Sequence, residues 1–433
     1  MNSPHRLSRL SAISLVIANM IGTGVFTSLG FQLLGIQSPL AILLLWFVGG
    51  IIALCGALVY GELGAAMPRS GGEYHYLSKL YHPLIGFLSG WVSALIGFSA
   101  PVAAAAVAMG SYMHSVYPDV KPMWVALITV TIITSIHATD LKMGSRFQNF
   151  FTILKVLLIL VFIACGLSVS DHIALDWGFN EDTSSQVFSG NFAVSLIYVS
   201  YAYSGWNAAA YIAGEMKDPQ KDLPKALLYG TAGVMLMYVL LNFVFLYTAP
   251  IKEMTGVVDI GHVSASYVFG TQGGKIVSMV IALLLISSIS SMIIAGPRVS
   301  ATIGEDFPML NFIAYRNAKH VPVYAVILQS IISIGLIITG TFEDIILYVG
   351  FTLSLFTLLT VAGIFIFRAN QPNVERPYKT WGYPITPIIF LCLTLWTLFY
   401  TFINHLIPSI IGLFTLVVGV IVFLINDQSK KTL

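Results

Sequence analysis

Apolar residues in this chain gather into long runs instead of alternating with polar ones. Runs free of strong charge cover roughly 9–34, 38–62, 84–114, 122–139, 147–169 and 190–214. Six more follow at roughly 225–249, 274–297, 322–341, 345–367, 383–403 and 406–426. Each is long enough to cross, as a helix, a hydrocarbon layer about 30 Å thick. A helix satisfies its own backbone in oil, and the period-two alternation that marks a membrane barrel is absent. The pattern predicts an all-α polytopic membrane protein with twelve transmembrane helices, here numbered as spans 1 to 12.

Composition agrees. Hydrophobic residues make up 57% of the 433 residues and charged residues 9%, with a mean hydropathy of +0.85. A soluble surface needs about a quarter of the residues charged, so lipid is the expected solvent. The net charge of +2 argues against nucleic acid as a partner. Cys55, Cys165 and Cys392 each lie in an apolar run and read as small buried residues, not as a disulfide framework. The basic stretch 1–9 ahead of an apolar run looks like a cleaved leader, but eleven further runs follow it.

The basic residues orient the spans. With the N-terminus placed in the cytoplasm, 17 of the 21 Lys and Arg fall inside, and only Lys121, Lys252 and Lys275 fall outside. The inside set runs from Arg6 and Arg9 through Lys142 and Arg146 to Lys430 and Lys431. The loop with Asp171, Asp176, Glu181 and Asp182 holds no base and also falls outside. So strong a positive-inside bias supports twelve spans, with both termini cytoplasmic and the protein integral to the plasma membrane.

Two spans are interrupted at mid-depth, by Asn19-Met20-Ile21-Gly22-Thr23-Gly24-Val25-Phe26 in span 1 and by Ser200-Tyr201-Ala202-Tyr203-Ser204-Gly205-Trp206-Asn207 in span 6. Glycine costs about 1 kcal/mol in a helix relative to alanine. Glycine-broken spans at matching places in two halves are the best sequence pointer to a transporter site. Gly24 and Gly205 stand 181 residues apart, and that offset carries spans 1–5 onto spans 6–10. Five is odd, so the second copy is inverted. A 5+5 inverted repeat follows: residues 1–169 as the first unit, 190–368 as the second, and 383–433 as spans 11 and 12 with the C-terminal tail. Close helix packing is the plainer account of such small residues, and Gly49-Gly50 and Ala103 to Ala106 fit it.

These motifs resemble the amino acid–polyamine–organocation (APC) permeases, and within them the L-type amino acid transporter branch. The resemblance rests on Ile21 to Phe26, on Gly61-Glu62-Leu63 with Pro68 to Tyr74, and on Tyr201 to Asn207. Glu215-Met216-Lys217-Asp218-Pro219 with Leu223-Pro224 adds to it. Thr23 departs from the family's more frequent serine, keeping the hydroxyl and adding a methyl.

Broken helices offer receptors for both ends of an amino acid. Free amides at Gly22 to Gly24 and the positive dipole end suit a carboxylate. Carbonyls near Met20, Ile21, Tyr201 and Ser204 suit an ammonium. The resemblance places the substrate backbone on Met20, Thr23, Gly24, Tyr201 and Ser204, while Gly205, Trp206 and Asn207 complete the expected pocket. Glu62, Asp140 and Glu215 sit at cytoplasmic ends and no acid lies near mid-membrane, so neutral amino acids fit better than cationic ones or polyamines, the rival substrate class.

Lys155 lies about 13 Å into span 5, at 1.5 Å per residue. In the family its ammonium takes the place of a sodium ion found in related carriers. The resemblance therefore implies sodium-independent transport, with Lys155 bonded to span 1 carbonyls near Gly22. Its role is either a static tether or a protonation-linked coupling group. Arg69 and Glu215 are candidates for an inner gate, though solvated loop charges are the commoner explanation.

Other chemistry is thin. His75 and His82 lack a third ligand for a metal. Gly270 to Ile276 misses the phosphate-loop spacing, so no nucleotide is expected, nor any cofactor. No catalytic constellation lies within the spans, which sets an enzyme aside. The expected function is alternating-access transport of a small amino acid across a lipid bilayer, by exchange or with protons.

Overall fold

The computed structural model of the chain describes residues 7–139, 145–170 and 172–431, side chains at 145–148 and 427–431 excepted. Arg6, Asp140, Lys142 and Asp171, and the side chains of Arg146, Lys430 and Lys431, lie outside the described residues.

Every apolar run becomes helical. The first divides into α1 (Arg9–Met20), a 3₁₀ turn (Gly24–Phe26) and α2 (Ser28–Gln32). Then come α3 (Pro39–Ala66), α4 (Gly72–Leu80), α5 (Pro83–Val92), a π-helical segment (Ser93–Gly97) and α6 (Ser99–Val116). After α7 (Pro122–Thr139), α8 (Ser145–Leu167) and the short α9 (Glu181–Val187), the span 6 run forms α10 (Gly190–Tyr203) and a 3₁₀ stretch (Ala208–Glu215). The remainder is α11 (Pro219–Thr248), α12 (Ile251–Met254), α13 (Ile260–Asp306), α14 (Asn311–Ala314), α15 (Val323–Thr339), α16 (Phe342–Asn370), α17 (Ile385–Asn404) and α18 (Leu406–Lys431).

Local chemistry sets many of these limits. Ser38, His82, Ser189 and Thr341 each accept an amide at the start of α3, α5, α10 and α16, and Pro39 and Pro83 stand at first helical positions where no donor is lost. The connection expected before span 8 is itself helical, with α13 broken at Gly270 (φ 73°).

Among the described residues nine helices are long and apolar enough to cross a membrane, counting Pro83–Val116 as one. The pair Arg9–Met20 and Gly24–Gln32, bent by 40°, makes ten. The run at 322–341 yields 17 helical residues and the one at 190–214 only 14 before its break, so composition alone does not carry either across. The fold is all-helical, of the kind expected for a polytopic membrane protein.

The outer faces are dressed for lipid. Ile128, Ile132 and Ile136 form a stripe down α7, each more than half exposed, and Phe399, Ile403, Phe414 and Ile421 do the same on α17 and α18. Water would not tolerate so continuous an apolar girdle. Inside, α3 packs chiefly on α11 and α6 on α13. Trp46, Tyr203 and Tyr238 pack ring to ring between α3, α10 and α11, with centroids 5.1–6.1 Å apart.

Charged pairs mark one end of the bundle. Arg9 Nε donates to Asp222 at 2.7 Å, and Arg368 makes a two-pronged bond to the buried Glu62 at 2.6 and 2.9 Å. Thr380 N adds a third donor to Glu62 at 2.6 Å, and Arg376 stands 3.6 Å away. This is called the basic end. Asp176, Glu253, Asp259, Glu343 and Asp344 gather in the connections and helix starts of the opposite, acidic end.

Candidate functional site

The two breaks meet at the centre of the bundle. Helix α1 stops at Met20 and backbone regularity resumes only at Gly24, while α10 stops at Tyr203 and resumes at Ala208. Glycine makes the meeting possible. A Cβ at Gly24 would lie 2.5 Å from Ala202 Cα, and one at Gly205 would lie 2.8 Å from the backbone carbonyl of Asn19. Gly205 also holds φ at +95°, a region that other residues rarely adopt.

Interrupting the helices leaves backbone groups over. Among the described residues the amides of Gly22, Thr23 and Gly24 make no hydrogen bond, and neither do those of Gly205, Trp206 and Asn207. The carbonyls of Ala18, Asn19, Ala202, Tyr203 and Ser204 accept none. Buried backbone of this kind is rare outside binding sites, since in a membrane each unpaired group costs several kcal/mol. The donors at Gly22 to Gly24 are those the sequence led one to expect. The Met20 and Tyr201 carbonyls differ, because the first accepts the Tyr238 hydroxyl at 2.6 Å and the second the Ser204 amide at 3.0 Å.

A cavity of about 420 Å³ lies against these breaks. It is lined by Met20, Ile21, Gly22, Thr23 and Gly24 on one side and by Tyr201, Ser204, Gly205, Trp206 and Asn207 on the other, so all ten predicted pocket residues come together. Tyr201 and Thr23 both line this gap. Trp206 packs edge-on to Tyr60, with centroids 4.7 Å apart.

The lining continues toward the basic end through Leu15, Thr152, Tyr211, Ile212 and Val299. The acidic end is closed. Phe31 stacks between Tyr198 and Phe342 at 5.9 and 5.5 Å, and the Tyr198 hydroxyl donates to Glu343 at 2.6 Å. Tyr112 adds a tie, donating to the Phe26 carbonyl at 2.7 Å while accepting the Gly261 amide at 3.0 Å.

Lys155 lines the same cavity and is buried, 7% exposed. Its Nζ donates to Ser288 Oγ on α13 at 2.7 Å, not to a carbonyl of span 1 as expected. Ser288 stands in the stretch Ser287-Ser288-Ile289-Ser290-Ser291, so α13 supplies the polar partner. Arg69 and Glu215 make no ion pair with each other among the described residues. Their segments are joined instead by Ser70 Oγ, which accepts the Gly214 amide at 3.2 Å, and by the Gly71 amide on the Tyr211 carbonyl at 3.2 Å.

An acidic lining residue escaped the sequence reading. Glu73, on the connecting helix α4, turns its carboxyl into the cavity wall, where it is 3% exposed. Its Oε1 accepts from the Tyr60 hydroxyl at 2.7 Å and from Asn207 Nδ2 at 2.9 Å. Burial lifts its pKa to about 7, against the pull of those hydrogen bonds. An acid between two spans looks solvated in sequence, and only the packing of α4 under the bundle reveals otherwise.

Known proteins place this architecture. The profile of a family described as amino acid permease matches residues 7–424. The serine/threonine exchanger SteT of Bacillus subtilis (strain 168) is 29% identical over 88% of this chain and 87% of its own. The b(0,+)-type amino acid transporter 1 of Mus musculus is 27% identical over 92% of this chain and 82% of its own. The large neutral amino acids transporter small subunit 2 of Homo sapiens is 26% identical over 96% and 79%. Two helix breaks meeting on a buried cavity, with a family match along nearly the whole length, make the chain a member of the amino acid permease family in the APC superfamily, resembling its L-type branch, and a transporter instead of an enzyme.

Proposed function

We propose that the protein is a sodium-independent secondary transporter that carries neutral L-amino acids by alternating access, through exchange or with protons. The observation that carries this is the set of unpaired amides at Gly22, Thr23 and Gly24 beside the unpaired carbonyls of the α10 terminus, all on one cavity. Amides at the start of a half-helix suit a carboxylate, and carbonyls at the end of one suit an ammonium. Substrate would sit on Met20 to Gly24, Tyr201 and Ser204 to Asn207. Closure by Phe31, Tyr198 and Phe342 at one end, with lining that runs toward the other, is one of the two arrangements that alternating access requires.

Lys155 bridges α8 to α13 beside the break of span 1, where a fixed ammonium can stand in for a sodium ion. Twelve spans, an inverted repeat of 1–169 on 190–368, and both termini in the cytoplasm complete the proposal. The basic end then faces the cytoplasm of the plasma membrane, and Arg69 and Glu215 lie at the inner mouth.

Glu73 favours a second reading, because a carboxyl in the cavity wall would welcome a cationic amino acid. Radiolabelled uptake into proteoliposomes separates the two. We expect serine, alanine or leucine to be taken up and exchanged without sodium, in preference to arginine. Uptake of arginine or a polyamine alone, or a sodium requirement, would overturn the proposal.

A further inference from the structure

Two buried carboxyls of this bundle live in opposite surroundings. Glu62 is met by Arg368 and Arg376. Glu73 is equally hidden, yet among the described residues it forms no ion pair. Every group that meets it is neutral. From α3 comes Tyr60, with Thr360 of α16 beside it, and from α5 comes Ser89. The stretch after α10 contributes Asn207 and Tyr211, and α4 itself contributes Tyr76. His75, two residues after Glu73, titrates below its ordinary range because of desolvation and the bases Arg69 and Lys79.

Hydroxyl and amide donors hold the ionised carboxylate, while burial without a counter-charge favours the neutral acid. The two forms act differently on the site. The carboxylate clamps the Asn207 amino group, which fixes that side chain at the break and turns its amide oxygen away from Glu73. The protonated acid is a weaker acceptor and releases it. Asn207 lies beside Gly205 and Trp206 on the cavity, so the hold on Asn207 bears on whatever the cavity binds.

We propose that Glu73 is a proton-binding site of this permease, coupled through Asn207 to amino acid binding, such that the ionised form binds substrate more tightly. This rests on the cavity being the amino acid path. Linkage makes the coupling reciprocal: substrate binding expels the proton from Glu73 toward solvent at the basic end.

The test is the affinity for leucine or serine in detergent from about pH 5.5 to about 8.5, a range in which the carboxylate of a free amino acid stays ionised. For wild type we expect affinity to rise about fivefold or more across this range, with a midpoint near 7. Glu73→Gln should show a flat profile at the weak, acid-side affinity, whereas His75→Ala keeps the wild-type profile. Proton release on adding substrate to wild type in weak buffer serves as a second measurement that needs no variant, expected to peak near pH 7. A flat wild-type profile, no proton release, or a pH profile kept by Glu73→Gln overturns the proton site and leaves the transporter proposal standing. Absence of binding at every pH overturns both.

Discussion

Replacing Gly205 by alanine probes the break of span 6 at its narrowest point. The residue holds φ at +95°, which costs an L side chain about 1–2 kcal/mol. The added Cβ would stand 2.8 Å from both C and O of Asn19, backbone atoms that cannot swing aside. Forcing such a contact adds about 1–3 kcal/mol, so Gly205→Ala should destabilise by about 2–5 kcal/mol in all. Relief would have to come from parting the two breaks, which is also where the unpaired backbone lies. Gly233 supplies the control, since it lies inside α11 with nothing within 4 Å of its would-be Cβ. There alanine should stabilise by up to about 1 kcal/mol through helix propensity. Thermal melting in detergent, with uptake into proteoliposomes, reads both variants. We expect Gly205→Ala to melt several degrees lower and to lose uptake, and Gly233→Ala to melt no lower and keep it. If span 6 were a continuous helix, alanine at 205 would help it. A Gly205→Ala protein that is as stable and active as wild type would therefore refute the broken-helix account.

Lys155→Ala should reduce uptake at least about tenfold while the protein still folds, because Ser288 and the space beside the span 1 break lose a fixed cation; near-normal uptake would remove Lys155 from the mechanism. Glu62→Ala leaves Arg368 and Arg376 without their carboxylate and should destabilise by about 3 kcal/mol, seen as a lower Tm with little change in substrate affinity. The raised pKa of Glu73, from 4.5 to about 7, has a definite sign for stability. Between those values the folded protein binds more protons than the unfolded chain. Its stabilising share is therefore complete below pH 4.5 and is lost as pH rises through 7, by up to about 3 kcal/mol. Glu73→Gln should consequently melt near wild type at about pH 5 and above it at about pH 8; parallel curves would count against the buried, uncompensated carboxyl.

The sequence by itself determined that lipid is the solvent, where the apolar runs lie, and which two are broken. These are local properties: hydropathy, charge and the presence of glycine are written in a few neighbouring residues each. That Met20 to Gly24, Tyr201 and Ser204 to Asn207 stand at the two breaks was legible for the same reason, since a helix break is a local event and its loose backbone ends have an obvious use. Tertiary structure decided the rest. That Gly24 faces Ala202 and Gly205 faces Asn19 depends on two segments about 180 residues apart being pressed together. That Lys155 finds Ser288, that Tyr238 takes the Met20 carbonyl, and that Glu73 lies in the cavity wall depends on which helix lands beside which. Partner choice across the bundle is fixed by packing and burial over long separations, and no pattern along the chain encodes it.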